Sequence, residues 1–265
     1  QSYPSERMEI IIVDGGSKDN TLSIVNNMIS KMDMRAQIYF DEDRGLGAAR
    51  QTVVDNANSK YTIFVDGDVE LPNDFVQKQV DFMERDPKVG VAIGKYMFKG
   101  GNLIAELQNL YNYTTEFWGN DATIYRIEAL SQVGGFDINI RGAFEDLDMM
   151  ARLRVRGWKL SVNKKAKFYH NPRKDLKAIW IREEWSGYGG HYFRHKHEDS
   201  TTPFTFWHKF PLITFVGTLK LAVKAYKLLH QNKLFLMPFL FSFRTIPWWF
   251  GFVRSHIDGY GHKIG

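Results

Sequence analysis

Cysteine is absent from this chain of 265 residues. Its absence excludes disulfides, cysteine-ligated zinc sites and thiol redox chemistry, so stability has to come from packing. The sequence also shows no internal repeat and no low-complexity tract. Hydrophobic residues make up 44% of the chain and charged residues 25%, proportions that are ordinary for a globular protein. The length therefore accommodates one large domain, alone or with an appendage.

Acidic residues are scarce in the second part of the chain. Residues 151–265 contain 21 of the 35 Lys and Arg residues but 6 of the 30 Asp and Glu residues, and all eight histidines also lie there. So uneven a division indicates two surfaces with different partners. A basic half rich in Trp, Phe and Tyr suits an anionic membrane or a nucleic acid.

Short β-branched runs alternate with segments of helical spacing along the first part of the chain. Strands are predicted at 8–13, 36–40, 61–65, 89–93 and 122–125, and helices at 20–29, 46–57, 75–83, 102–116 and 145–156. This order predicts an α/β sheet with helices on both faces. Ligands of such sheets bind beyond the carboxyl ends of the strands. The acidic turns that follow 8–13 and 61–65 are therefore expected on one rim.

The turn Asp66-Gly67-Asp68 carries two carboxylates around a glycine, directly after an apolar strand. Both carboxylates can point into one cleft, where one ligates a hard divalent cation and the other holds a ribose or a metal-bound water. Oxygen ligands of this kind suit Mg²⁺ and Mn²⁺. The alternative is an acidic turn that caps the next helix. Because the turn directly follows a buried strand, the metal-binding and the capping interpretations are about equally well supported.

Three acids open the predicted helix at 145–156, in the order Glu145-Asp146-Leu147-Asp148. Acids at this position interact favourably with the helix macrodipole, which is a structural reason for their presence. The functional interpretation is a general base that deprotonates an acceptor hydroxyl. Crowding of like charges slightly favours the second interpretation, because it raises the pKa of one carboxyl group.

Four segments follow one another in the first 160 residues at consistent spacings. They are EIIIVDGGSKDNT at 9–21, GLGAAR at 45–50 with YTIFVDGDVELP at 61–72, DATIYRIEALSQVGGFD at 121–137, and FEDLDMMARLRVRGWKL at 144–160. Together they resemble the inverting family-2 glycosyltransferases over about residues 1–172. The resemblance implies an α/β fold of the GT-A type, a mixed sheet flanked by helices, which would be followed here by amphipathic and hydrophobic C-terminal helices.

The resemblance implies roles for residues at the donor side. Donor-binding roles fall on Asp14, Ser17, Arg50 and Asp66, and metal-binding roles on Asp68, Asp66 and His170. The cofactor would be Mn²⁺ or Mg²⁺. For His170, an exposed loop histidine is the somewhat stronger alternative.

On the acceptor side, the resemblance makes Asp146 the catalytic base and Glu145 the residue that orients the acceptor. Asp121 belongs to the acceptor-side segment. Arg182 and Trp185 resemble an acceptor-clamping segment of membrane-linked relatives, although a helix that packs its aromatic side chains on the core is at least as good an explanation. The reaction would be one in-line displacement with inversion and no covalent intermediate.

The sequence departs from the family pattern at three places. Gly15 stands where a second Asp is frequent, and Arg44 replaces a common Asn, so the choice between UDP and GDP and the phosphate contacts stay open. The family's opening strand, which is interior to the sheet, is missing ahead of Gln1. We therefore expect the chain to be a fragment or to fill this place in another way, because an absent interior strand leaves backbone groups unpaired.

The second part of the chain is expected to contain two further regions. We assign 1–172 to an N-terminally incomplete GT-A catalytic domain, 173–205 to a basic aromatic connecting helix and 206–265 to a membrane-associating helical tail. The run 234–253 approaches the ~20 residues that a membrane span needs. Arg244, Pro238 and Pro247 within it favour a bent hairpin or an interfacial helix. A helical subdomain buried on the core is the alternative.

These observations predict a metal-dependent inverting glycosyltransferase of hexosyltransferase type. It would move a sugar from a UDP- or GDP-linked donor to a lipid-linked or glycan acceptor at an anionic membrane surface, with its catalytic domain on the cytoplasmic side. A nucleic-acid partner is not expected, because the tail is too apolar and carries no RNA or DNA motif. The alternative, motivated by the missing strand, is a degenerate relative that binds a nucleotide or tethers partners at a membrane. The sugar, acceptor and linkage are not fixed by the sequence, since pocket shape sets them.

Overall fold

The computed structural model describes residues 1–41, 44–97, 101–114, 121–171, 173–198 and 209–260. The described residues form two units. The first unit comprises those of 1–95, 121–141 and 145–168, and the second those of 96–114, 142–144 and 169–260. Residue 172 and residues 199–208, where two of the expected domain boundaries fall, lie outside the described residues, so that division of the chain stays a prediction.

The strands and helices alternate through the first unit, and helices dominate the second. The strands are β1 (Glu9–Asp14), β2 (Arg35–Phe40), β3 (Tyr61–Val65), β4 (Val69–Glu70), β5 (Val89–Met97), β6 (Ala122–Arg126) and β7 (Lys159–His170). The helices are α1 (Thr21–Ile29), α2 (Leu46–Asn56), α3 (Phe75–Arg85), α4 (Leu103–Thr114), α5 (Ile127–Gln132), α6 (Glu145–Val155), α7 (Leu176–Lys196), α8 (Pro211–Leu229) and α9 (Met237–Ile257). Short 3₁₀ turns lie at Ser5–Arg7 and Asn232–Leu236.

The strands form two sheets. Strands β1 and β2 pair in parallel, and a five-stranded sheet has the order β3-β6-β5-β7-β4. In the larger sheet β6 runs antiparallel to both β3 and β5, with Tyr125 opposite Thr62 and Val91. The predicted mixed α/β sheet is confirmed.

The side chains of Ile10, Ile11 and Ile12 in β1 are half-buried although all are apolar. The expectation of a missing first strand stays a prediction.

The larger sheet is covered on both faces, because successive strand residues point to opposite sides. Tyr125 and Val91 pack in one cluster with residues of α5 and α6 such as Leu130 and Leu153. The next residues along, Ile124 and Ala92, pack in another cluster with Met83 of α3. The prediction of helices on both faces of the sheet, made from the alternation of strand and helix, is confirmed. Packing on one of these faces positions α6.

The second unit is built mainly from α7, α8 and α9. Helix α9 packs on both α7 and α8, and the core between them includes Ile179, Ala222 and Phe241. A Cβ atom on Gly251 would overlap the carbonyl oxygen of Glu184, so glycine is what permits so close an approach of α9 to α7.

Two expectations about local structure need correction. The bent hairpin within 234–253 is wrong, because the structure has one helix, α9, through most of that run. Pro238 lies in the first turn of this helix. Backbone N–H groups in the first turn have no acceptor within the helix, so a proline there costs no hydrogen bond. The sequence pattern predicts a strand only at 166–169, whereas β7 already begins at Lys159, because charged side chains in its first part conceal the strand pattern. Among the described residues, no helix combines the length and the apolarity that crossing a bilayer requires.

Candidate active site

The guanidinium of Arg50 joins two acidic segments that are far apart in the sequence. Its Nη1 atom lies 2.5 Å from Oε1 of Glu145, and its Nη2 atom lies 3.4 Å from Oδ1 of Asp66. Arg50 and Glu145 are buried, whereas the side chain of Asp66 is 42% exposed. The end of β3 and the start of α6 therefore meet on one cation, with Asp66 on the side that solvent reaches.

The start of α2 places Arg50 at this meeting point. Gly45 has a φ of 105°, and a Cβ atom there would lie 2.5 Å from the Cα atom of Arg141. The N–H group of Gly47 donates to the carbonyl of Ile140 at 3.1 Å. Glycines at these two positions hold the first turn of α2 against the segment that leads to α6. The guanidinium also lies over the ring of Phe64, 5.6 Å from its centroid, in a cation–π contact.

Burial sets the protonation of the two acids at the start of α6. Burial, followed by the charge of Asp146, raises the pKa of Glu145, while Arg50 opposes both, and the outcome is a pKa of about 7. Burial also raises the pKa of Asp146, against the lowering effect of Arg50. For Arg50 itself, burial would lower the pKa, but Glu145, Asp66 and Asp146 raise it, so the guanidinium stays charged. The site therefore holds a permanent cation beside two carboxyl groups that titrate higher than usual.

Asp14 organises the first acidic turn. Its Oδ2 atom accepts hydrogen bonds from the N–H groups of Gly16 and Ser17, each at 2.9 Å, and its Oδ1 atom accepts one from the Ser17 hydroxyl at 2.6 Å. The hydroxyl of Ser17 is the main reason that the pKa of Asp14 is lowered. These hydrogen bonds are a structural reason for Asp14 and Ser17 in this turn. The donor-binding roles of the two residues stay predictions. The expectation that this turn and the turn at 66–68 lie on one rim of the sheet also stays a prediction.

The remaining predicted site residues are divided between the two units. In the first unit, Asp68 lies half-buried between β3 and β4, and Asp121 lies half-buried just before β6. In the second unit, His170 ends β7 with its ring 6.1 Å from that of Tyr96, and Arg182 and Trp185 belong to α7. Their roles in binding a metal or an acceptor stay predictions.

Two features of the site were missed from the sequence. Tyr125 is buried and interacts electrostatically with Asp146, and burial followed by that charge raises its pKa well above the ordinary value. Phe144, directly before Glu145, has a φ of 84°, a left-handed conformation that is rare for an aromatic residue and a common form of strain at functional sites. Strand pairing brings Tyr125 to the site, and a backbone angle has no sequence signal at a residue other than glycine.

The third acid of the 145–148 motif has a structural task. Asp148 is fully buried, and its Oδ2 atom accepts hydrogen bonds from Nε and Nη2 of Arg152 at 2.9 and 2.7 Å. Arg152 also donates to the carbonyls of Val133 and Gly135. Asp148 thus fixes α6 to the loop after α5, which leaves Glu145 and Asp146 as the candidates for chemistry.

Comparison with solved structures identifies the fold. A mannosyltransferase from Pyrobaculum calidifontis, solved in complex with GDP-Man and Mn²⁺, superposes over 97% of this chain and 80% of its own, with a TM-score of 0.67 and 19% identity. The architecture is therefore that of the GT-A glycosyltransferases.

Comparison with sequence families then identifies the family. The model for Glycosyl transferase family 2 matches residues 1–147, and the chain belongs to that family. An uncharacterized glycosyltransferase of Haemophilus influenzae is 32% identical over 132 residues, which are 48% of this chain and 51% of that protein. Glucomannan 4-beta-mannosyltransferase 7 of Arabidopsis thaliana is 26% identical over 182 residues, 60% of this chain and 32% of that protein. The chain thus spans from about a third to about half of the length of these relatives.

Proposed function

We propose that this chain is an inverting glycosyltransferase that moves a sugar from a nucleotide-sugar donor to a glycan acceptor. The meeting of Asp66, Glu145 and Asp146 around Arg50 is the observation that carries the proposal. Membership of glycosyltransferase family 2 supports it, as does the likeness to a structure that holds GDP-Man.

In the proposed reaction, Asp146 removes the proton of an acceptor hydroxyl as its oxygen attacks the anomeric carbon. The bond from that carbon to the donor phosphate breaks on the opposite side, so the nucleoside diphosphate leaves and the configuration inverts. A base works best when its pKa is close to the working pH, and the raised pKa of Asp146 is a shift in that direction. Arg50 holds Glu145 beside the base and keeps Asp66 at the donor side.

A divalent cation fits the acidic turn. Asp66 and Asp68 would hold it, because their carboxylates are the hard oxygen ligands that Mn²⁺ and Mg²⁺ prefer, and the side chain of Asp66 is open to solvent. Such a cation would neutralise the departing diphosphate. The Mn²⁺ in the Pyrobaculum calidifontis structure supports the same choice.

Replacing Asp68 by asparagine tests the metal. We expect Asp68→Asn to lower Mn²⁺-stimulated transfer on the order of 100-fold, because the charge stabilisation that a metal supplies amounts to several kcal/mol. Mn²⁺ binding in the presence of UDP or GDP, measured by electron paramagnetic resonance, should weaken in parallel.

Asp74→Asn is the matched control for the metal. It removes the same charge from an exposed residue that pairs with Lys78, and it should leave both measurements unchanged. Equal Mn²⁺ binding by the Asp68→Asn variant and the unmodified chain would contradict the metal assignment.

We further propose that the acceptor is lipid-linked and that the chain acts at an anionic membrane surface, on its cytoplasmic side. Helix α8 supports the surface part. Leu212, Val216, Leu219 and Val223 form an exposed apolar stripe along it, beside exposed lysines at 220, 224 and 227. An apolar stripe flanked by lysines is the pattern of an interfacial helix.

A charged group in the second unit supports an anionic acceptor. Buried Glu183 accepts a hydrogen bond from Nε of Arg244 at 2.8 Å and pairs with Arg182 at 3.1 Å. Burial would raise the pKa of Glu183, but Arg244, Arg182 and Lys209 lower it to about 2. Two arginines thus contact one buried carboxylate, with Lys209 close enough to act on it, and this grouping of basic side chains suits the phosphate of a lipid-linked sugar.

The membrane proposal predicts lysine-dependent vesicle binding. Because each basic residue near an anionic surface contributes about 1 kcal/mol, the triple variant Lys220→Gln, Lys224→Gln, Lys227→Gln should bind phosphatidylserine vesicles about 100-fold more weakly in a sedimentation assay. The matched control changes the exposed lysines 164, 165 and 167 of β7 to glutamine. Similar losses in the two triple variants would show that net charge, and not α8, governs binding.

A further inference from the structure

Three histidine rings converge in the second unit, and none of them has a role in the proposed sugar transfer. His191 and His195 lie one turn apart on α7, and His256 lies near the end of α9. Nε2 of His191 is 3.2 Å from Nε2 of His195 and 3.3 Å from Nδ1 of His256. One nitrogen from each of the three rings lies within 4.8 Å of the others.

These separations match the edges of a metal tetrahedron. Zinc binds histidine nitrogen at about 2.0–2.1 Å, which places two tetrahedral ligands about 3.3 Å apart. The two pairs that include His191 already have this spacing. Two histidines four residues apart on one helix face are a recurrent way of holding zinc. The third edge, between His195 and His256, is no longer than 4.8 Å, and rotation of the half-buried ring of His195 and the exposed ring of His256 would bring it to the metal-bound length.

The surroundings of His191 fix which of its ring nitrogens carries the lone pair. Its Nδ1 atom lies 2.8 Å from the carbonyl oxygen of Tyr260. A carbonyl oxygen can only accept, so the proton of a neutral ring is on Nδ1 and the lone pair is on Nε2. That lone pair faces the other two histidines. A backbone carbonyl behind a ligating imidazole is the usual outer partner of a metal-bound histidine.

A cavity of about 400 Å³ opens onto the three rings. Its lining includes Glu198, whose Oε2 atom is 3.8 Å from Nδ1 of His195, and the apolar rings of Trp249 and Phe252. The ring of Phe252 meets His191 edge-on at 4.9 Å between centroids. The cavity leaves room for a fourth ligand, a water molecule or the carboxylate of Glu198, opposite an apolar wall.

We propose that His191, His195 and His256 bind one Zn²⁺ ion that clamps the end of α9 to α7. Nitrogen ligands select Zn²⁺ over Mg²⁺ and Mn²⁺, which prefer oxygen. This site is therefore separate from the proposed donor metal at Asp66 and Asp68 in both ligand type and position in the chain. In a chain without cysteine, the bound Zn²⁺ ion would cross-link α7 and α9 where no disulfide can form.

Zinc binding is tested on the whole chain, purified without a polyhistidine tag, in the Asp68→Asn background. After treatment with a chelator, we expect one equivalent of Zn²⁺ to bind in a calorimetric titration, and excess Mg²⁺ not to compete. At 100 times the dissociation constant, Zn²⁺ should raise Tm by about 5–10 °C, because it binds the folded state. Co²⁺ in its place should give the visible absorption bands of a tetrahedral site.

His256→Gln is the decisive variant, because this exposed side chain can be changed with little effect on folding. It should weaken Zn²⁺ binding at least 100-fold, and His195→Gln should do the same. His230→Gln, which changes an exposed histidine at the end of α8, should bind Zn²⁺ as the unmodified chain does.

The proposal is overturned if Zn²⁺ neither raises Tm nor binds with one equivalent, or if Co²⁺ gives no tetrahedral bands. Such results would mean that the three rings are held by hydrogen bonds alone. Equal affinity in the His256→Gln and His230→Gln variants would also overturn it. None of these readouts depends on sugar transfer, so the zinc site and the proposed function can fail independently.

Discussion

Replacing Asp146 by asparagine should lower kcat about 1000-fold and leave donor binding within about twofold. A positioned general base contributes roughly 10²- to 10⁴-fold, and asparagine cannot take the acceptor proton. The substitution conserves the shape of a half-buried side chain, and its amide oxygen can still accept the hydrogen bond that Oδ1 of Asp146 receives from Leu147 at 2.7 Å. Arg50 keeps its contact with Glu145. The substitution should therefore lower the rate of the chemical step and leave the stability of the fold unchanged.

The measurement compares single-turnover transfer with calorimetric donor binding, using UDP- and GDP-linked sugars. Asp81→Asn is the matched control, because it removes an equal charge from an exposed carboxylate of α3 that accepts a hydrogen bond from Gln77. Unchanged turnover in the Asp146→Asn variant would remove the base assignment. Donor binding without any transfer by the unmodified chain would instead support the degenerate relative.

The pH profile distinguishes a base from a residue that merely positions the acceptor. A base acts when ionised, so kcat/KM should rise with pH through the apparent pKa of the coupled pair Glu145 and Asp146. Because burial raises the pKa of both carboxyl groups, this rise falls at a higher pH than an ordinary carboxylate would give. The residual activity of the Asp146→Asn variant should lose the part of the rise that comes from the base.

Local patterns in the sequence predicted most elements of the first unit, because each depends on neighbouring residues. Strand β3 was placed at 61–65, the bounds that the structure has, and α6 was placed to within one residue. Strand pairing depends on residues far apart in the chain, so the division into two sheets was not predicted. The same limitation hid Tyr125, which reaches the site because β6 pairs with β3.

The candidate site was predicted as separate motifs and not as an arrangement. Asp66 and Glu145 were both named, but nothing in their spacing indicates that one guanidinium lies between them. The three histidines of the zinc proposal were noted only among the eight histidines of residues 151–265. His191 and His195 have helical spacing, whereas His256 joins them because α9 packs on α7. Contacts between distant helices have no local signature.

Replacing Arg50 by methionine should destabilise the fold by about 3–5 kcal/mol at pH 8, the usual cost of leaving a buried charge without its partner. The side chains of Arg50 and Glu145 are 9% and 3% exposed, so water cannot replace the lost cation. Urea denaturation measures the loss. Arg44→Met, at an exposed arginine two residues before α2, is the control and should change stability by less than about 0.5 kcal/mol.

The loss should depend on pH in a direction that the pKa of Glu145 fixes. The folded-state pKa of about 7 is above the ordinary value of 4.5, and removing Arg50 raises it further. A carboxyl group with a raised pKa favours folding at low pH, and this contribution disappears as the pH rises through the folded-state pKa. The Arg50→Met variant should therefore be least impaired near pH 5 and most impaired above pH 7.

Adding Glu145→Gln should restore much of the stability at pH 8, because it removes the unpaired charge. If the double variant were as unstable as the single one, packing and not charge would explain the place of Arg50.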